Sequence, residues 1–80
     1  MIKVEIFYNG EKDKETPELV ESIKHRFGDK VEVKLIDTSK EKTPEDYGTI
    51  NPPEVVIDGK TKIKLDSKEK LEEIVTKAIF

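Results

Sequence analysis

Side chains suited to catalysis are few in this chain and widely scattered. The single histidine, His25, lies between Lys24 and Arg26 on a stretch whose apolar residues fall elsewhere. It reads as a surface residue, because a metal site needs further ligands close by. Cysteine is absent, which removes disulfides, thiolate metal ligands and any thiol redox couple, and leaves stability to packing and secondary structure. Glu11, Asp13 and Glu15 alternate with Lys12 and Lys14, but without the glycine and bidentate glutamate of a calcium loop. That segment reads as a solvated turn. Glu45, Asp46 and Tyr47 suit the first turn of a helix, where carboxylates match the dipole. No glycine-rich phosphate cradle, nucleophile elbow or histidine-carboxylate pair occurs. No catalytic residue, metal or cofactor is assigned. Tyr8 and Tyr47 remain, each able to flank a groove or to close one side of a core.

The elements that position these residues follow from periodicity. Ile2, Val4, Ile6 and Tyr8 alternate with Lys3, Glu5 and Phe7, which predicts a strand with one buried face. Asn9-Gly10 breaks it. Thr16 is the expected N-cap of a first helix with Pro17 in its opening turn. Leu19, Val20, Ile23 and Phe27 share one face of that helix, and Gly28 supplies the stop. Val31, Val33 and Leu35 alternate with Glu32 and Lys34 in a second strand, followed by a polar stretch over residues 37–42. A second cap-and-proline pair, Thr43-Pro44, with Gly48 after Tyr47, predicts a helical turn or little more.

Asn51-Pro52-Pro53 then leads into Glu54-Val55-Val56-Ile57, Asp58-Gly59 and a further β-rich run over 61–65. Asp-Gly between two such runs is a strong hairpin signal. Asp66 and Ser67 can cap a last helix, whose Leu71, Ile74, Val75, Ala78 and Ile79 share a face. The order β-α-β-(short α)-β-β-α predicts an α/β fold, with a mixed four-stranded sheet in one domain over residues 1–80. The first two strands are expected to be parallel, with the first and last helices on one face. The other face carries Lys3, Glu5, Glu32, Lys34, Lys62 and Lys64, and is expected to be at least half solvated, with cross-strand charge pairs.

Composition narrows the function classes. Eighty residues bury only about 60–65% of their unfolded surface, so the core must be small. Charged residues make up 41% of the chain, 15 basic against 18 acidic, with a net charge of −3. Signs are interspersed, which argues against nucleic acid as a partner. Apolar runs are too short for a membrane span, and a charged strand at the start is not a signal peptide. Cytoplasm and a monomer are the expectations. Lysine and glutamate enrichment also fits a thermophile surface.

The element order, the proline before the third strand and the Asp-Gly turn together resemble the thioredoxin and glutaredoxin superfamily over essentially the whole chain. The most telling stretch runs from Tyr47-Gly48-Thr49-Ile50 through Asn51-Pro52-Pro53 into Glu54-Val55-Val56-Ile57-Asp58-Gly59-Lys60. Pro53, six residues before Gly59, matches the family's cis-proline position. A proline at a strand start costs no ladder bond, and only X-Pro bonds reach cis at about 0.5–1 kcal/mol. The resemblance implies a thioredoxin-like fold with Pro52-Pro53 cis. It also implies a pair of cysteines just after the first strand, at the N-terminus of the first helix, where, in a stretch reaching at latest to Pro17, Glu11 and Lys14 stand in this chain. Neither can replace a thiol, since exchange needs a thiolate nucleophile.

What survives is the family's peptide-binding groove, which depends on backbone rather than sulfur. The expected function is therefore a redox-inactive thioredoxin-like domain that binds a protein or extended peptide. Its candidate residues are Tyr8, Asn9, Gly10, Glu11, Lys14, Tyr47, Asn51, Pro52, Pro53 and Glu54. Two alternatives stay open. One is a glutaredoxin-like oxidoreductase whose cysteines were lost or replaced. The other is a regulatory binding protein similar to the KaiB family, which Asn9-Gly10, Thr16-Pro17 and Val33-Lys34-Leu35-Ile36-Asp37 resemble. The Asp58-Gly59 hairpin favours a glutaredoxin-like second half.

Overall fold

The computed structural model describes residues 2–42, 45–65, 67 and 69–79. Alternation over the first residues produces β1 (Ile2–Tyr8), and β2 (Val31–Asp37) pairs with it in parallel, from Ile2 opposite Val31 to Tyr8 opposite Asp37. The connection contains α1 (Glu15–Phe27). The hairpin β3 (Glu54–Ile57) and β4 (Thr61–Lys64) adds antiparallel to β1, giving the order β2-β1-β3-β4. Asp58 and Gly59 at its tip have φ of 51° and 70°, and the Lys60 N–H closes the turn on the Ile57 carbonyl at 3.0 Å. Such positive φ values select Asp-Gly here. The last helix, α2, spans Lys70–Ile79.

Both helices pack on one face of the sheet. There Val4, Ile6, Val20, Ile23, Val55, Leu71 and Val75 form the main aliphatic cluster. This arrangement follows from the 3.6-residue apolar stripe of each helix meeting the two-residue alternation of the strands. Arg26 on α1 and Glu72 on α2 form an exposed ion pair at 2.6 Å, a surface contact of small energetic weight. None of the described helices is long and apolar enough to cross a membrane.

Several expectations need correction. The side chain that caps the first amides of α1 is that of Asp13, not that of Thr16. The Asp13 carboxylate accepts the amides of Glu15 and Thr16, each at 3.0 Å, while Thr16 is fully buried and donates its hydroxyl to Asp13. Asp13 therefore sits in a folded loop, not a solvated turn. The second strand runs on to Asp37, beyond the expected Leu35. The middle element is the single helical turn expected, in 3-10 rather than α form, at Glu45–Tyr47; the expected Thr43-Pro44 cap lies outside the described residues, as does Asp66. Ser67 does cap the last helix, its hydroxyl accepting the Glu69 N–H at 3.3 Å.

The charged face is solvated at Lys3, Glu32, Lys34, Lys62 and Lys64, as expected, but its centre is closed. Phe7, Ile36 and Val56 form a second buried cluster there, with Tyr47 and Ile50 packed against it. Glu5 on the same face is 5% exposed. The segment over residues 45–53 covers this part of the sheet, because Tyr47 and Ile50 supply apolar contacts to an otherwise polar run.

Candidate functional site

The C-terminal end of β1 opens directly into the loop that carries Asn9, Gly10, Glu11 and Lys14. Its backbone is largely satisfied from within. The Asn9 carbonyl accepts the amides of Lys12 and Asp13 at 3.1 and 2.7 Å, and the Asn9 side chain accepts the Glu11 amide at 3.1 Å. The Lys14 ammonium donates to the Gly10 carbonyl at 2.9 Å. Gly10 is required by proximity: its N–H donates to Asp37 Oδ1 at 2.9 Å, and a Cβ there would lie 2.0 Å from Asp37 Oδ2. Asp37 also accepts the amide and hydroxyl of Ser39. The Ser39 hydroxyl, with the Gly10 and Ser39 amides and nearby Lys40, holds the Asp37 carboxyl below its ordinary range against a smaller opposing effect of desolvation. The carbonyl of Tyr8 is tied to Thr38 through both its amide and its hydroxyl. Burial, then the charges of Asp37 and Asp13, push the Tyr8 phenol up from its usual value.

The start of α1 has a chemical consequence. A helix N-terminus with free amides stabilises an anion, but here the Asp13 carboxylate already takes the amides of Glu15 and Thr16. Glu11 and Lys14 are exposed beside it. No thiol stands at this position.

The second loop is built differently. The Pro52-Pro53 bond is cis. The Pro53 carbonyl accepts the Leu65 amide at 3.0 Å, extending the β3-β4 ladder back by one pair. Glu54, 5% exposed, turns one oxygen back to the Asn51 amide at 2.8 Å; its Oε2 is buried and has no hydrogen-bond partner among the described residues. Across the sheet, the Lys64 ammonium donates to the carbonyls of Asn51 and Pro52 at 2.7 and 3.0 Å. Lys62 does the same for Tyr47 and Thr49 at 3.0 and 2.9 Å.

The antiparallel register places Phe7 opposite Glu54, so the loop following β1 and the loop preceding β3 lie at the same end of the sheet. Tyr8, Asn9, Gly10, Glu11 and Lys14 belong to the first loop; Asn51, Pro52, Pro53 and Glu54 belong to the second. Tyr47 stands apart from both. Its hydroxyl donates to Glu5 at 2.6 Å and its ring meets Phe7 edge-on, with centroids 6.0 Å apart at 77°. Glu5, Asp37, Lys62 and Lys64 are absent from the sequence-derived candidates although they hold both loops and their cover. The available signal was Lys62 and Lys64 at alternate positions beside an isolated Tyr47 and Ile50. Among the described residues no group of three or more histidine or carboxylate side chains is placed to hold a metal.

This β-α-β-β-β-α arrangement, with a proline loop entering β3, is the thioredoxin fold, carried here by a chain with no thiol. It is similar to the crystal structure of the germline-specific thioredoxin Deadhead (thioredoxin-1) of Drosophila melanogaster, with a TM-score of 0.77 and 24% sequence identity over 95% of this chain and 79% of that one. No protein-family model and no curated protein sequence matches the chain.

Proposed function

We propose that this chain is a binding domain that uses the thioredoxin scaffold without its redox reaction, and that it takes an extended segment of another protein across the edge made by residues 9–17 and 51–54. The observation that carries this reading is the register of β1 against β3, which sets Phe7 opposite Glu54 and so brings the two loops to one end of the sheet. Both loops are preorganised by their own polar ties, which lowers the ordering cost of binding. The sequence has no cysteine, and disulfide exchange requires a thiolate. The mixed charge and the absence of thiols support a cytoplasmic binding protein rather than a secreted or nucleic-acid-binding one.

The test is to titrate isotopically labelled protein with a library of extended peptides and to map the amide shifts. Saturable shifts concentrated in residues 9–17 and 51–54, weakened by the charge swaps Glu11→Lys and Lys14→Glu, are the expected result. Shifts confined to the outer surfaces of α1 and α2 overturn the proposed site.

A further inference from the structure

We infer that the free edge of β4 is a second docking surface, built to accept an extended segment in which acidic and apolar residues alternate. β4 is the outermost strand of the sheet. The Leu65 amide bonds to the Pro53 carbonyl, which fixes the phase of the β3-β4 ladder. Antiparallel pairing alternates, so Thr61 and Ile63 direct their backbone groups toward β3. The N–H and C=O of Lys62 and Lys64 therefore point outward, unpaired within the sheet. An added strand would complete them.

The two sides of this edge differ in chemistry. On the helix side lies a cleft of about 440 Å³ lined by Ile57, Ile63, Ile74 and Ala78, with Thr61 and Lys77 at its margins. The four apolar residues are half-buried, so each keeps surface for an incoming side chain. On the other side stand Lys62 and Lys64, whose ammonium groups donate to carbonyls of the covering loop and, among the described residues, form no ion pair. The edge is thus locally cationic in a chain of net charge −3. Lysines on an edge strand oppose pairing with a second copy of the same strand: β4 against β4 would oppose like charges, which is destabilising. The same lysines favour a strand with carboxylates on that side. Because side chains alternate along a strand, the partner's remaining residues would fall over the apolar cleft.

The probe is a short synthetic peptide alternating glutamate and valine, compared with an isomer of the same composition whose glutamates are grouped at one end. The alternating peptide is expected to shift the amide resonances of residues 60–64 saturably and to slow hydrogen exchange at Lys62 and Lys64. N-methylation of every second peptide residue should abolish binding in one register and spare it in the other, which tests strand pairing without altering the protein. Lys62→Glu with Lys64→Glu should weaken binding about tenfold or more. Equal binding of the grouped isomer, tolerance of both N-methylated sets, or absence of saturable shifts at β4 overturns the inference. Shifts confined to residues 9–17 and 51–54 also overturn it while leaving the loop-edge site intact. Self-association through β4 without peptide contradicts the assigned role of the lysines.

Discussion

The two faces of the sheet are closed by different means. The helix face is sealed by aliphatic side chains from α1 and α2 packed on Val4, Ile6 and Val55. The other has only Phe7, Ile36 and Val56 at its centre, with Tyr47 and Ile50 laid on top. Its remaining cover is held by polar ties: Tyr47 to Glu5, Lys62 and Lys64 to four loop carbonyls, and Glu54 to the Asn51 amide. Burial of apolar area is non-directional, whereas hydrogen bonds impose geometry. The helix face therefore contributes most of the stability, and the loop face contributes the placement of residues 51–54.

Substitutions that treat the faces separately sharpen this contrast. Leu71→Ala on the helix face removes a side chain that is 1% exposed, and should cost about 2–5 kcal/mol in chemical denaturation, as buried leucine deletions do. Tyr47→Phe on the other face leaves the buried Glu5 carboxylate without its donor and should cost less, about 1–3 kcal/mol. Adding Glu5→Leu to that variant should recover part of the loss, because removing both polar partners avoids an unsatisfied buried group. If Tyr47→Phe were as damaging as Leu71→Ala and the double variant worse still, the loop face would be a second apolar core and the contrast would fail.

Lys64→Met removes the donor to the Asn51 and Pro52 carbonyls. A smaller loss is expected, about 0.5–1.5 kcal/mol, accompanied by amide shifts concentrated in residues 49–54. The smallest effect belongs to Asp37. Its carboxyl ionises below the ordinary 3.8, mainly through the Ser39 hydroxyl. A lowered folded-state value means that its contribution is present above the ordinary carboxylate range and is lost as pH falls through the lowered value. Asp37→Asn should flatten the acid limb of the stability-pH curve in that window and leave its slope near neutrality unchanged.

Much of the helix face was legible from periodicity. The alternation of residues 2–8, the Asp58-Gly59 turn and the apolar stripe of the last helix each specify a local geometry, and the tertiary contacts agree with all three. The loop face was less legible because alternation tells which side a residue points to, not what covers that side. Glu5 and Phe7 were correctly set on one face, but its burial depends on a segment with only Tyr47 and Ile50 as apolar cues. Asp13 and Thr16 are both competent caps three residues apart, and the burial of Thr16 decides between them. For the candidate site, the shared end of the two loops depends on β3 pairing antiparallel to β1, with Phe7 opposite Glu54, a long-range choice that no local pattern specifies. Lys62 and Lys64 are exposed, as their alternation predicts, but their bonds to the loop carbonyls leave no pattern in sequence.

The most direct measurement is amide hydrogen exchange at Asn51, an exposed residue whose N–H donates to buried Glu54. Protection approaching that of the β3 amides, lost in Glu54→Ala, is the expected result if polar ties preorganise this edge. Exchange at the rate of an unstructured loop would contradict it.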